Sequence, residues 1–333
     1  MKLRDLGERV LIRAIRKDFS KPGKDLILGI GDDAAVIKAG EKSLILTTDV
    51  LIEDSHFIRT LQPAFWLGRK SLNVNLSDIA AMGGTPRYAL LGLGLPPTVD
   101  TRWVGEYFKG FRSATKESGV LLIGGDLSQA AAVFISVTAI GEGRTIIRRS
   151  GARPGDFIFA SGSLGDAAGG LRLLRRGFKL GQDKRADPLL KAFLDPVPQV
   201  ELGLRLANSR LATSMIDSSD GLSVDLLHLC EESDLGAEVE LGRLPISAQL
   251  WDFEKDPYPL ALHGGEDYQL VFTVSPAKYR AALALSKKIA VTPIGRMTKA
   301  KGIYLIDQNG KKKILPAKGY QHFKSRWAVS CEP

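Results

Sequence analysis

The chain has 333 residues, 44% of them hydrophobic, with 46 Lys+Arg against 37 Asp+Glu, a formal net charge of +9. That length and apolar content suit about two globular domains of roughly 150 residues each, and no apolar run approaches the ~20 residues of a bilayer-spanning helix. The basic residues are scattered apart from Arg148-Arg149, Arg175-Arg176 and Lys311-Lys312-Lys313, so the excess charge reads as a solvated surface that attracts phosphorylated small molecules, not as a nucleic-acid stripe. Met1-Lys2-Leu3-Arg4-Asp5-Leu6 lacks the apolar centre of a signal peptide, and Cys230 and Cys331 are the only cysteines. A cytoplasmic protein without a disulfide framework is expected.

Residues 2–19 place Leu6, Val10 and Ala14 at helical spacing among charges, predicting an amphipathic N-terminal helix. Leu26–Ile30, Leu44–Thr48 and Tyr88–Leu95 read as strands. Pro63–Met82 reads as a helix with Leu72, Leu76 and Ile79 on one face and Ser71, Asn75 and Asp78 on another, stopped by Gly83-Gly84 and Pro86. Asp78 then sits in the last helical turn, where the dipole disfavours an anion. Trp103–Lys116 predicts a second helix with Val104, Tyr107, Phe108 and Phe111 on one side, followed by strands at Val120–Ile123 and Val133–Ile140. A composition change across Gly141–Gly155 predicts a boundary, giving domains 1–145 and 146–333. Strands at Phe157–Ala160, Thr213–Ile216 and Tyr268–Val274, helices through Arg176, over Pro198–Asn208 and around Leu222, Leu226 and Leu229, and a hairpin at Asn309-Gly310 complete an α/β pattern. Ser161–Gly170 fits either a phosphate approach or the start of a helix.

Several apolar runs lead through a small or hydroxyl residue into aspartate: Leu28-Gly29-Ile30-Gly31-Asp32-Asp33, Leu44–Asp49, Leu121–Asp126 and Ser214–Asp220. One such Asp is an ordinary turn or cap residue. Several strand ends of this type point to a single acidic site, and adjacent carboxylates brought together require a cation. The donors on offer are Asp32, Asp33, Thr47, Thr48, Asp49, Asp78, Asp126, Asp217 and Asp220, all hard oxygens that suit Mg²⁺ with a nucleoside triphosphate. No GxxxxGK[ST] loop, dinucleotide fingerprint, GxSxG, HExxH or paired CxxC is present.

The ordered segments GIGDDAAV, LTTDVLIEDSHF, NVNLSDIAAMGGTP, LIGGD, RSGARPGD, MIDSSDGLSVDL and HGGEDYQLVFTV resemble the thiamine-monophosphate kinase family, within the superfamily that includes aminoimidazole ribonucleotide synthetase. The resemblance runs from about Leu28 to Tyr320. It implies ATP-dependent phosphorylation of thiamine monophosphate to thiamine diphosphate, by direct in-line transfer with no covalent nucleophile or general base. It implies metal positions at Asp33, Thr47, Thr48, Asp49, Asp78, Asp126, Asp217 and Asp220. ATP contacts would fall at Gly125, Asp126, Arg149 and Ser219, with Tyr107 or Phe108 nearby, and substrate contacts at His56, Glu266 and Tyr320. It further implies a two-domain synthetase-like fold whose N-terminal mixed sheet joins that of a second copy in a shared barrel. Rival readings are another synthetase of the superfamily or a non-catalytic nucleotide-binding regulator. A hydrogenase-maturation dehydratase is disfavoured because Glu332-Pro333 follow Cys331, and a selenophosphate synthetase because no Cys precedes Cys230.

Overall fold

The structure, a computed structural model, describes residues 8–19, 23–287, 289–320 and 322. Residues 2–7 of the predicted N-terminal helix, and Cys331, lie outside the described residues. The remainder of that helix is α1 (Glu8–Phe19). The first half then runs β1 (Leu26–Leu28), β2 (Ala35–Ala39), β3 (Lys42–Ile52), α2 (Ala64–Ala81), β4 (Thr85–Leu95), α3 (Thr101–Ser118), β5 (Leu121–Gln129) and β6 (Phe134–Gly143). These strands form one sheet in the order β1-β2-β3-β6-β4-β5, antiparallel except for the β4–β5 pair. The second half runs β7 (Phe157–Ser161), α4 (Asp166–Arg175), α5 (Asp187–Leu194), α6 (Val200–Asn208), β8 (Ala212–Asp217), α7 (Leu222–Ser233) and β9 (Gly236–Glu240). It continues with α8 (Ala248–Phe253), α9 (Tyr258–His263), β10 (Leu270–Val274), α10 (Tyr279–Ala284), β11 (Val291–Thr298), β12 (Gly302–Ile306) and β13 (Lys312–Ile314). Its sheet order is β13-β12-β9-β11-β7-β10-β8, with β9–β12 parallel. The fold is therefore a mixed α/β architecture built on two mixed sheets.

Helix α2 holds the halves together. Its apolar positions Leu67, Leu72, Leu76 and Ile79 enter the core of the first sheet, while Ala81 joins a second core with Leu202, Leu206 and Met215 from the other half. Fifteen of its 18 residues are buried, so its polar side chains need partners. Arg69 donates to Asp195, Ser113 and Glu117. Asn73 donates to Asp195 and to the Pro196 carbonyl. Ser77 donates to Asp217 at 2.6 Å. The helix approaches α3 at Gly68, where an added Cβ would sit 2.0 Å from the Tyr107 carbonyl oxygen. It ends where Gly83 adopts φ +71° and the Gly84 amide donates to the Ile79 carbonyl, a glycine stop of the expected kind.

Several strands outrun their predicted ends, and for β3 and β5 the extension matters to the site. β3 continues through Asp49 to Ile52 and β5 through Asp126 to Gln129, so these aspartates stand within strands and not after them. β1 is shorter than predicted, stopping at Leu28.

Candidate active site: a carboxylate cluster shared by both halves

Asp33 lies in the turn before β2, Asp78 in the last turn of α2, and Asp217 at the end of β8. Their carboxylate oxygens lie within 4.8 Å of one another. The two sheets thus meet at the point where the aspartate-ended runs converge. Burial, reinforced by the Asp33 charge, pushes the Asp217 carboxyl up to about 8. Burial, then the charges of Asp49, Asp217 and Asp33, holds Asp78 well above the usual carboxylate range. Burial likewise raises Asp33, against the opposing pull of Arg149. Arg149 donates from Nε and Nη2 to Asp33 Oδ1 at 3.1 and 2.6 Å. The other oxygen, Asp33 Oδ2, is buried and has no partner among the described residues. One guanidinium against three carboxylates leaves the cluster short of positive charge, and a buried carboxylate oxygen without a partner is costly. Hard-oxygen donors in this state fit Mg²⁺.

Asp49 and Thr47 project from the same face of β3 as the buried Ser43, Ile45 and Leu51. Thr47 Oγ1 donates to Asp78 Oδ2 at 2.5 Å, and the Asp49 amide donates to Asn75 Oδ1. Burial raises Asp49 to about 6. Asp220, in the loop after β8, is raised to about 7 by burial and then by the Glu8 charge, with Arg149 opposing. Thr48 departs from the expected set. Strand alternation puts its side chain on the exposed face, where it donates to the Val137 carbonyl and accepts from Thr138.

Asp126 and Gly125 are not brought to the cluster within one chain. β5 is exposed throughout, and the Asp126 carboxylate accepts from Ser128. The register Asp49–Val137–Leu91–Gly125 crosses three strand pairings, or about 14 Å at the usual strand spacing. Tyr107 sits on the core side of α3, as its helical spacing predicts. It is fully buried between α2 and α3, its hydroxyl 2.9 Å from Ser71 Oγ and its ring stacked on Trp103. The core side of α3 is set by Tyr107, Gly110, Phe111 and Ala114; Phe108 is on the exposed side.

The three expected substrate residues gather beside the cluster. His56 follows β3, and its Nδ1 accepts from the Ile52 amide at 3.1 Å. Its ring lies 6.4 Å from that of Tyr320, whose amide donates to the Asp220 carbonyl. Burial, then the His322 and Lys70 charges, pushes His56 down to about 4. Glu266 and Tyr268 take left-handed conformations at φ +69° and +50°, uncommon for residues with side chains and typical of strain at working sites. Between them, Asp267 accepts from the Gly165 and Ala167 amides and so caps α4. Ser161–Gly170 therefore starts a helix whose N-terminus is occupied by a carboxylate. The Tyr268 phenol is raised by burial and then by Glu266, Asp49, Asp217 and Asp78, which puts Glu266 and the carboxylate cluster within electrostatic reach of one side chain. Ser219 contributes its carbonyl to the Glu266 amide.

Two neighbours were not foreseen from the sequence. Lys70, on α2, forms an ion pair with Glu266 at 2.9 Å. His322 packs against His56 and Tyr320, with ring centroids 5.0 and 4.8 Å away. A lysine in the middle of a helix otherwise rich in apolar and small residues was the available signal for the first. For His322, only its nearness in sequence to Tyr320 hinted at a role.

The AIR synthase related protein N-terminal domain matches residues 31–142, and the corresponding C-terminal domain matches residues 153–308. The thiamine-monophosphate kinase of Buchnera aphidicola subsp. Schizaphis graminum is 38% identical over 326 residues, covering 96% of this chain and 99% of the relative. That of Escherichia coli K12 is 39% identical over 307 residues, covering 90% and 93%. A solved structure of AaThiL complexed with AMPPCP and TMP superposes with a TM-score of 0.86 at 35% identity, over 97% of this chain and 99% of that one. With the fold, the acidic site and the full-length similarity in agreement, the chain belongs to the thiamine-monophosphate kinase family.

Proposed function

We propose that this chain transfers the terminal phosphoryl group of ATP to the phosphate of thiamine monophosphate, giving thiamine diphosphate and ADP. The observation that carries this reading is the convergence of Asp33, Asp78 and Asp217 from both halves, with Asp33 Oδ2 unpartnered among the described residues. It occurs in a chain similar over nearly its full length to named thiamine-monophosphate kinases. Asp33, Asp78 and Asp217, joined by Thr47, Asp49 and Asp220, would hold Mg²⁺. Bound there, Mg²⁺ supplies charge neutralisation and alignment of phosphate oxygens. Residues 1–145 form the nucleotide- and metal-binding half in this reading, and residues 146–333 complete the site.

The protein's own groups have distinct tasks. Arg149, engaged with Asp33 in this structure, is placed to exchange that carboxylate for an ATP phosphate, which suits its fixed, permanently charged fork. Ser219 lies in the same loop as Asp220 and supports a phosphate contact. Glu266 accepts from the aminopyrimidine of the substrate, and His56 with Tyr320 provides ring surfaces. The attacking oxygen belongs to a phosphate that is already anionic at neutral pH, so no general base is needed and the transfer is direct and in line. The enzyme is read as cytoplasmic.

A homodimer completes the proposal. The β5 edge exposes Leu121 (61%), Leu122 (43%), Ile123 (55%) and Leu127 (69%), beside a sheet face that exposes Leu44, Tyr88, Leu90 and Phe134. An apolar edge and face of this extent call for a cover, and a second copy in a shared barrel provides it. The decisive experiment incubates pure protein with ATP, Mg²⁺ and thiamine monophosphate and follows thiamine diphosphate by chromatography. Folded protein that makes no thiamine diphosphate would sink the assignment.

A further inference from the structure

We infer that Lys70 is a positioning residue for substrate recognition: it holds the Glu266 carboxylate in the orientation that receives the aminopyrimidine, without touching the substrate itself. The inference rests on the functional reading above and extends it to a side chain on the opposite half of the molecule. Lys70 is 1% exposed. A lysine so enclosed has lost its hydration and is tolerated only when its donors are satisfied. Its Nζ lies 2.9 Å from Glu266 Oε1, donates to the Phe193 carbonyl at 3.0 Å, and sits 3.8 Å from the centre of the Phe193 ring. The ammonium is thus fixed from two further directions before it meets Glu266.

Glu266 needs such a fixture. Its backbone is in the left-handed region at φ +69°, and its side chain retains 27% exposure. A carboxylate that is free to turn would offer its acceptor oxygens in many directions and lose order on binding. Anchoring Oε1 to a rigid buried helix removes that freedom in advance. The same ammonium adds to the field that keeps His56 neutral, so the acidic and aromatic sides of the substrate pocket share one support. Lys70 also ties the pocket to the segment that Arg69 and Asn73 grip at Asp195 and Pro196.

The test compares Lys70→Met, Glu266→Gln and the double variant. Kinetics would be paired with calorimetric binding of thiamine monophosphate in the absence of ATP. Lys70→Met is expected to weaken thiamine monophosphate binding and raise its KM by about tenfold or more, with the KM for ATP and kcat changed by less than about threefold. The double variant is expected to bind as Glu266→Gln does, because Lys70 acts through that carboxylate. Removing both charges also avoids stranding one of them, so the comparison with Glu266→Gln stands even if Lys70→Met does not fold. Folded Lys70→Met that binds the substrate like wild type overturns the inference, as does a double variant clearly weaker than Glu266→Gln. A wild-type protein that binds no thiamine monophosphate overturns the functional reading, and this inference with it.

Discussion

Asp32 and Asp33 are neighbours in sequence with different surroundings. Asp32 accepts from the amides of Asp33 and Arg149 and so ties the turn to the second half. Asp33 keeps one oxygen for Arg149 and leaves the other unpartnered among the described residues. Asp33→Asn removes an anionic ligand and is expected to cut turnover by about a hundredfold or more, with weaker Mg²⁺ dependence. Asp32→Asn keeps an acceptor oxygen and is expected to cost about 1 kcal/mol of stability, with turnover within about fivefold of wild type. Equal losses in the two variants would remove the distinction. The cluster also makes stability depend on pH. Asp49, Asp220 and Asp217 are raised to about 6, 7 and 8, chiefly by burial. A carboxyl raised on folding binds its proton more tightly in the folded chain, so stability falls as pH rises from its ordinary value to its raised one. In the presence of a chelator, the melting temperature should drop from about pH 4 to about pH 8, most steeply at the acidic end where all three carboxyls contribute, and level off above that. Mg²⁺, which needs the ionised ligands, should restore it more at the alkaline end. Asp217→Asn should flatten that slope. An unchanged slope in this variant would show that the cluster is not its source.

At the scale of elements, α2 decides both the packing and the site. Gly68→Ala would drive a methyl against the Tyr107 carbonyl and is expected to cost about 2 kcal/mol or more by forcing α2 and α3 apart. Gly105, on the exposed side of α3, has nothing within 4 Å of an added Cβ. Gly105→Ala should instead stabilise by about 0.5–1 kcal/mol, the ordinary helix preference. Denaturant titration of both separates close approach from propensity. The existence of this helix, its glycine stop and the position of Asp78 in its last turn were legible from periodicity alone. The gathering of Asp33, Asp78 and Asp217 was legible only within a wider set of donors that also included Thr48 and Asp126, and the family resemblance carried the particular ligand positions. The ion pair from Lys70 to Glu266 was not legible, since the partners are far apart in sequence and meet only when the two halves dock. Helical spacing puts Tyr107 and Phe108 together on the apolar side of α3, and it is Phe108 that faces outward, while the nucleotide contact at Tyr107 rests on the family resemblance. Local pattern does not tell which of two neighbouring aromatic rings faces the core. Strands β9 and β11 were missed because Gly236–Glu240 and Val291–Thr298 each contain residues of low strand preference. They are held in the sheet by their neighbours.

For the whole molecule, the position of Asp126 is the telling feature. It stands on the outer strand of its own sheet, three strand pairings from the row of Asp49, among side chains that a monomer would leave in water. A second copy covering that edge would carry its own Asp126 and Gly125 toward the first copy's cluster, and by two-fold symmetry receive the same in return. Each site would then combine Asp33, Asp78 and Asp217 of one chain with Asp126 of the other. This arrangement predicts complementation. Asp126→Asn and Asp217→Asn should each be nearly inactive alone. In a mixed dimer, one site would join an intact cluster to an intact Asp126, while the other site would carry both substitutions. Random exchange makes half of the dimers mixed, so activity should recover to about one quarter of wild type. If Asp126 served its own chain, every site in the mixture would keep one defect and no activity would return. Mixing the two purified variants under conditions that allow subunit exchange, with light scattering to follow the dimer, reads the outcome directly.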